Sequence, residues 1–139
     1  MLAIEKIKSG DKVISTDPET MKTSPKTVLK TYIREVTTLV HLTVNGEKIV
    51  TTVDHPFYVK NQGFIKAGEL IVGDEFLDVN GNVLLVEKFN VELTDEPTTV
   101  YNFQVEDFHT YHVGEIGVWV HNASCKVNKK VGENYDQRF

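Results

Sequence analysis

Short runs of β-branched and aromatic residues alternate with tight turns along this chain, and the pattern predicts an all-β protein. Two Asn-Gly pairs, Asn45-Gly46 and Asn80-Gly81, lie between such runs, as is typical of two-residue hairpin turns. Residues 27–42 are rich in Thr, Val and Ile and predict two strands or one bent strand. Residues 66–72 could form a single helical turn. The other predicted strands are residues 12–16, 48–52, 57–59, 64–65, 75–78, 83–86, 98–105 and 111–120.

The sequence also contains an internal repeat. Residues 7–14 are similar to residues 70–77, and residues 37–44 are similar to residues 98–105 in the same order. The repeat predicts two related β subdomains with a pseudo-twofold relation. The alternative is chance similarity between strands, which share a small set of residue types. Two such halves would leave a cleft between them, a natural place for a site.

Size and composition narrow the class of protein. A length of 139 residues fits one domain with a hydrophobic core, and we expect a monomer. The net charge of −5, with no basic stripe, argues against nucleic-acid binding. No apolar run reaches the roughly 18 residues of a membrane span, and the first residues are no signal peptide. The single cysteine, Cys125, excludes an internal disulfide and a Cys-based zinc cluster, but leaves the compartment open between cytoplasm and a secreted or surface protein.

The residues at 118–122 predict a strand that ends at His121-Asn122. The side-chain amide of an Asn can attack its own backbone carbonyl, which closes a succinimide ring and breaks the following peptide bond. A neighbouring His can donate a proton to the departing nitrogen or polarise the carbonyl. The alternative for this dipeptide alone is a plain strand end followed by a turn.

A second candidate is the pair Thr52 and His55, three residues apart at a strand end and just before Pro56, which forces a bend. A hydroxyl and an imidazole in proximity can hold and protonate a scissile amide. The alternative is that Asp54-His55-Pro56 only stabilises a turn.

A third candidate is His109. His109 and His112 could suggest zinc, but in an extended strand positions three apart point to opposite faces. No Cys or carboxylate set completes four ligands, so we expect no metal and no cofactor. A single inward-facing His109 acting as acid or base fits better. His41 lies in an apolar run and is interpreted as a core or edge residue.

In combination these features resemble the Hint superfamily, which comprises inteins, the hedgehog autoprocessing domain, and bacterial intein-like and pretoxin Hint domains. The motifs that carry the resemblance, in order, are residues 52–55, 100–105, 109–111 and 118–122, together with Gly10-Asp11 and Gly73-Asp74. The sequence of residues 109–113 is most similar to the bacterial intein-like and pretoxin members, and no homing-endonuclease insertion is present.

The resemblance implies a horseshoe of short strands with both scissile junctions in a central cleft. It implies that a Cys or Ser at the first position of the domain attacks the preceding carbonyl, while Thr52 and His55 hold and protonate the amide nitrogen. It further implies that Asn122 then cyclises and cuts after itself, assisted by His121 and His109.

Three departures from the family pattern change the expected chemistry. The family opens with a Cys-containing strand upstream of where this sequence starts, and no Cys or Ser stands at residue 1, so we expect the acyl shift to be absent. Splicing needs a nucleophile directly after the Asn, and Ala123 provides none, while Ser124 and Cys125 come too late. Asn102 stands where many inteins carry an Asp.

We therefore predict a Hint domain over residues 1–122 and a polar flank over residues 123–139 that begins a downstream passenger. The predicted activity is a single-turnover cleavage of the Asn122–Ala123 bond, not a multiple-turnover enzyme. Its substrate is the protein's own flanking polypeptide. The alternative is an inert β module of a larger secreted or toxin-like protein.

Overall fold

A computed structural model describes residues 6–113 and 116–121 in full, and the backbone of residues 126–128 and 134–136. These residues form strands and a short 3₁₀ helix, Ala67–Glu69. The strands are β1 (Lys12–Thr16), β2 (Thr23–Val44), β3 (Glu47–Thr51), β4 (Pro56–Val59), β5 (Gly63–Lys66), β6 (Glu75–Leu77), β7 (Val83–Val105), β8 (Thr110–Val113), β9 (Val118–His121), β10 (Lys126–Asn128) and β11 (Asn134–Asp136).

Nine of these strands form one antiparallel sheet in the order β1-β2-β7-β6-β4-β9-β8, with β3 beside β2 and β5 beside β4. Strands β10 and β11 form a separate hairpin, and β10 lies beside β5. The all-β prediction is confirmed, and no helix in the part of the chain that is described is long and apolar enough to cross a membrane.

The hairpins occur where the sequence predicts them, but the loop at Asn80-Gly81 is longer than the predicted two residues, because Asp78 N donates to Asn82 O and Gly81 N donates to Asp78 O. Asn45 and Gly46 both have positive φ, 47° and 84°, as a type I′ turn between β2 and β3 requires. The Asn45 side chain then accepts a hydrogen bond from Leu85 N at 2.8 Å, so this turn also contacts β7. Residues 67–69 form the predicted helical turn, as a 3₁₀ helix.

The long strands differ from the sequence prediction in their extent. β2 is a single strand with register shifts, and β7 joins the two predicted runs 83–86 and 98–105 through a stretch that was not predicted to be extended. In that stretch Phe89, Val91 and Leu93 alternate with polar residues, as is typical of a strand, although Val91 and Leu93 are exposed, and its pairing with β2 completes the long strand. Pro97 lies where the register shifts between Val36 and Thr38, a position that tolerates the missing N–H.

The internal repeat is visible in the hydrogen bonds of the two Gly-Asp turns. Gly10 N donates to Val28 O, and Val28 N donates to Asp11 O. In the second half the same pair of bonds joins Gly73-Asp74 to Val86. Each aspartate also accepts from the backbone N–H three residues earlier, Lys8 N for Asp11 and Ile71 N for Asp74. The predicted duplication is thus confirmed at the level of individual contacts.

The core fills the inside of the curved sheet with side chains from most strands. The largest fully buried side chains are Trp119, Tyr111, Phe57, Phe76 and Phe103. Tyr111, Phe57 and Phe103, from β8, β4 and β7, belong to the core cluster, whereas Trp119 of β9 packs apart from it against Tyr58 and Phe64.

Candidate functional site

The loop from Thr52 to His55 leaves β3 and enters β4 at Pro56, and backbone bonds hold it against the 3₁₀ helix. Ala67 N donates to His55 O at 2.9 Å, and Gly68 N donates to Val53 O at 2.8 Å. A Cβ at position 68 would lie only 3.1 Å from Val53 O, so glycine allows this close approach. The loop is thereby fixed relative to both strands that it joins.

Both candidate side chains of this loop are buried. Thr52 is 4% exposed and His55 is 7% exposed. Burial lowers the pKa of His55 to about 3; the Asp54 carboxylate opposes this, and the charges of His121 and Arg34 add to it. His55 is therefore a neutral imidazole at neutral pH, and His121 is near enough to influence its ionisation.

A buried hydrogen-bonded chain connects His55 to β8 and β7. The Tyr111 hydroxyl donates to Asn102 Oδ1 at 2.6 Å, and its oxygen lies 3.4 Å from His55 Nε2. Asn102 Oδ1 also accepts from Phe103 N at 2.8 Å. Since the one hydroxyl proton goes to Asn102, Nε2 of His55 is the donor toward Tyr111. Burial raises the pKa of the Tyr111 phenol above its usual range, so the phenol stays protonated.

Two buried polar atoms of this cluster have no hydrogen-bond partner among the residues that the structure describes, Thr52 Oγ1 and Asn102 Nδ2. Because both oxygen bonds of Asn102 are made, its amide orientation is set and Nδ2 points away from Tyr111. Unsatisfied buried groups are uncommon, and they are groups that a bound peptide can satisfy.

His121, at the end of β9, forms the other part of the site. It pairs across the strands with Thr110, and its ring packs edge-on against Phe64 at 4.9 Å between centroids. The His109 ring lies 6.4 Å from the His121 ring, nearly parallel to it at 22°. The structure thus brings together the three histidines that the sequence singled out. The rings of His109 and His121 lie side by side, and His121 is close enough to lower the pKa of His55.

The prediction of an inward-facing His109 is wrong, because the side chain is exposed. His109 does not belong to β8. It has φ of 59°, in the left-handed region, at the end of the turn that follows β7, where Asp107 also has a positive φ. Both ring nitrogens of His112 are engaged, with Thr16 Oγ1 at 2.8 Å and Gly117 O at 2.7 Å.

Other sequence candidates have structural roles. His41 is half-exposed in the middle of the sheet, paired with both β3 and β7, and it bonds Glu92 at 2.7 Å, so it is neither the core nor the edge residue that was predicted. Asp54 forms an ion pair with Arg34, at 3.2 and 3.4 Å. Across residues 6–113 and 116–121, no group of three or more His, Cys, Asp or Glu side chains is placed to hold a metal.

Asn122 and Ala123 lie outside the described residues, so their predicted roles stay predictions. The sequence analysis missed Tyr111 as a site residue. The signal available for it was only its place in the 109–111 motif, because its two side-chain partners come from distant parts of the chain.

Comparisons of the sequence and of the structure with known proteins point to the same family. The sequence matches the model of the pretoxin Hint domain family over residues 1–123. It is 62% identical to the bacterial intein-like domain from Clostridium thermocellum, whose solution structure superposes with a TM-score of 0.85 over 87% of this chain and 88% of that one.

More distant structures share the fold alone. The DnaB intein from Synechocystis sp. PCC 6803 is 16% identical, with a TM-score of 0.69 over 88% of this chain and 86% of that chain. An uncharacterised protein of Methanocaldococcus jannaschii is 36% identical over 77 residues, 52% of this chain. The chain spans only 11% of the length of that relative.

Proposed function

The chain belongs to the pretoxin Hint domain family, and from this premise we propose that it is an autoprocessing domain that cuts its own backbone once, between Asn122 and Ala123. The Hint fold is the fold of intein-like proteins, which supports autoprocessing in general. The cyclisation of Asn122 is the specific reaction that we propose. Its substrate is the protein's own polypeptide, within a toxin-like precursor, and no nucleic acid or membrane takes part.

The reaction needs only the chain's own atoms. Asn122 Nδ2 attacks the Asn122 carbonyl carbon, so a new C–N bond closes a succinimide ring. The peptide C–N bond to Ala123 breaks, Nδ2 loses a proton, and the nitrogen of Ala123 gains one. No water is consumed until the ring later opens. Because Ala123 has no hydroxyl or thiol, the released end is not ligated to another segment.

One observation carries the proposal: His121, the residue that precedes Asn122, is half-buried between Phe64 and the His109 ring. This packing restricts the imidazole of the residue that precedes Asn122, and orientation of the reacting groups supplies much of the acceleration in such a step. In the proposal His109, whose ring lies beside that of His121, is the second imidazole that assists the departure of the Ala123 nitrogen.

Thr52 and His55 have a separate role in this proposal. In a longer parent protein they bind the amide of the upstream junction, where Thr52 Oγ1 and Asn102 Nδ2 would gain the partners that they lack among the described residues. His55 is neutral at neutral pH, so it acts by hydrogen bonding and not as a charged group.

Intact-mass spectrometry of the purified chain tests the cleavage. We expect a fragment of residues 1–122 that is one water molecule lighter than the product of hydrolysis, together with residues 123–139. Asn122→Ala abolishes both fragments. His121→Gln slows their appearance by about 100-fold, because the positioned proton donor is lost.

Matched variants outside the site serve as controls. Asn90→Ala changes an exposed Asn on β7, and His41→Gln changes a surface His, and both should cleave at the wild-type rate. An intact chain after prolonged incubation would contradict the proposal and favour the inert module. Equal slowing in His41→Gln and His121→Gln would remove His121 from the mechanism.

A further inference from the structure

Downstream of the proposed cut, β10 and β11 form a hairpin in which Lys126 is paired with Asp136 and Val127 with Tyr135. Each of the two strands has three residues. A two-stranded hairpin of this length is marginally stable in water by itself. It therefore depends on a neighbour, and that neighbour is β5, because β10 lies beside it.

β5 is an edge strand of the large sheet. Within the described part of the chain its strand partner is β4 alone, with Phe57 opposite Ile65. An edge strand presents a surface that a further segment can cover. β10 lies beside β5 outside the backbone ladder, since β10 and β11 form a sheet of their own.

β5 also carries the ring that packs against His121. The Phe64 ring meets the His121 imidazole edge-on, with 4.9 Å between centroids. The same ring contacts Trp119 at 5.5 Å and Tyr58 at 5.3 Å, again edge-on. Phe64 makes these contacts on the face opposite Ile65, which belongs to the core. β5 is thus the common neighbour of His121 and of the downstream hairpin.

The length of chain between these two contacts is short. β9 and β5 flank β4 on opposite sides, since Phe57 is paired with both Val120 and Ile65. Two strand spacings amount to about 10 Å. The chain from His121 to Lys126 reaches at most about 17 Å when fully extended. A docked β10 therefore confines residue 126 to positions near His121, whereas a free flank could move away.

We propose that the β10–β11 hairpin is a recognition element of the substrate, which docks beside β5 and holds the downstream side of the scissile bond near the His121 imidazole. This inference rests on the proposed function, which puts the cut between Asn122 and Ala123. His121 anchors the segment that is cut at one end, and the docked hairpin anchors it at the other. Restriction at both ends increases the fraction of molecules in which the reacting groups are oriented for attack.

The docking is tested in a chain that cannot cut itself. In the isotope-labelled Asn122→Ala protein we expect nuclear Overhauser effects between protons of residues 126–128 and protons of residues 63–66. Val127→Pro in the same background removes a backbone N–H in the centre of β10 and should abolish these effects. Their absence from Asn122→Ala itself would overturn the docking.

The rate of cleavage of the full chain tests the positioning role. Opposite charges at paired positions of an antiparallel ladder stabilise it, and like charges weaken it. Lys126→Asp and Asp136→Lys each create a like-charged pair, and each should slow the appearance of the fragments by about threefold. The double variant restores opposite charges and should cleave at the wild-type rate. Val127→Pro, which disrupts the hairpin more strongly, should slow cleavage by about tenfold.

Lys48→Asp is the matched control, because it makes the same change of charge at an exposed position on β3 and should leave the rate unchanged. A double variant that stays slow, or a Val127→Pro chain that cleaves at the wild-type rate, would overturn the inference and leave the proposed function standing. A wild-type chain that stays intact would overturn the proposed function and the positioning role together, while the Overhauser effects decide the docking independently.

Discussion

The Tyr111 hydroxyl is the single group that joins the parts of the site contributed by β7, β8 and the loop before β4. It donates to Asn102 and lies next to His55, inside a core that excludes water. Asn102 occupies a position where a carboxylate would be costly to bury beside an uncharged His55. The neutral amide, the phenol and the neutral imidazole are therefore mutually consistent.

Removal of this hydroxyl is expected to affect both stability and activity. Tyr111→Phe keeps the ring packing against Phe103 but leaves Asn102 Oδ1 with one partner fewer. We expect a loss of about 1–3 kcal/mol in the free energy of unfolding, measured by urea denaturation. Tyr101→Phe is the control, since Tyr101 is half-buried and its hydroxyl bonds none of the described residues, and it should change stability by less than about 0.5 kcal/mol. Equal losses in the two variants would contradict the role assigned to Tyr111.

Among the elements, the two Gly-Asp turns are the clearest product of the internal repeat. Gly10 has φ of 94° and Gly73 has φ of 98°, and a Cβ at either position would meet nothing within 4 Å. Each turn aligns a short strand, β1 or β6, with a long one, β2 or β7, through the same pair of backbone bonds. The requirement for glycine is therefore conformational at both positions and steric at neither.

This equivalence predicts that Gly10→Ala and Gly73→Ala destabilise the protein by similar amounts, about 1–2 kcal/mol each, because only the backbone conformation is strained. Thermal or urea unfolding of the two variants measures it. The double variant should show additive losses, since the turns lie in separate halves. A large cost at one turn and none at the other would show that the halves are not equivalent.

At the scale of the whole molecule, the sheet curves until its two end strands, β1 and β8, come together. Two side chains of β8 bond β1 there: Thr110 Oγ1 donates to Thr16 O at 2.7 Å and accepts from Thr16 N at 3.1 Å, with Ser15 Oγ at 3.0 Å, and His112 Nε2 lies 2.8 Å from Thr16 Oγ1. These side-chain hydrogen bonds replace a backbone strand pairing at this seam. The seam fixes β8, which carries Tyr111 and follows His109.

The stability of the whole fold should depend on pH through the buried histidine. The pKa of His55 is lowered to about 3 by burial, against an ordinary value of 6.5, so between these values the unfolded chain binds a proton that the folded chain does not. Stability from this group is therefore complete above pH 6.5 and is lost as the pH falls towards 3. Lowering the pH from 7 to 5 should cost about 2 kcal/mol from His55. Burial also lowers the pKa of His112, which adds in the same direction.

Urea unfolding at a series of pH values measures this dependence. His55→Gln should have a shallower slope between pH 7 and 5 than the wild type, because one of the groups that drives it is gone. An unchanged slope would mean that His55 is not buried as an uncharged residue.

Local sequence determined most of the strands, the hairpin at Asn45-Gly46, the 3₁₀ turn and the repeated Gly-Asp turns, because these features depend on neighbours within a few residues. Motif order also pointed to Thr52, His55, His109 and His121. The extent of β7 was not predicted, although Phe89, Val91 and Leu93 alternate with polar residues in its middle, and the full length of the strand depends on its pairing with β2.

Only the tertiary structure decided how the site is assembled. Tyr111 meets His55 across 56 residues of chain, and no local pattern specifies such a contact. The exposure of His109 arises in a turn in which both Asp107 and His109 have positive φ. Burial, which makes His55 neutral, is likewise a property of the packed core and not of the residue, because the cost of a charge depends on the surroundings that folding provides.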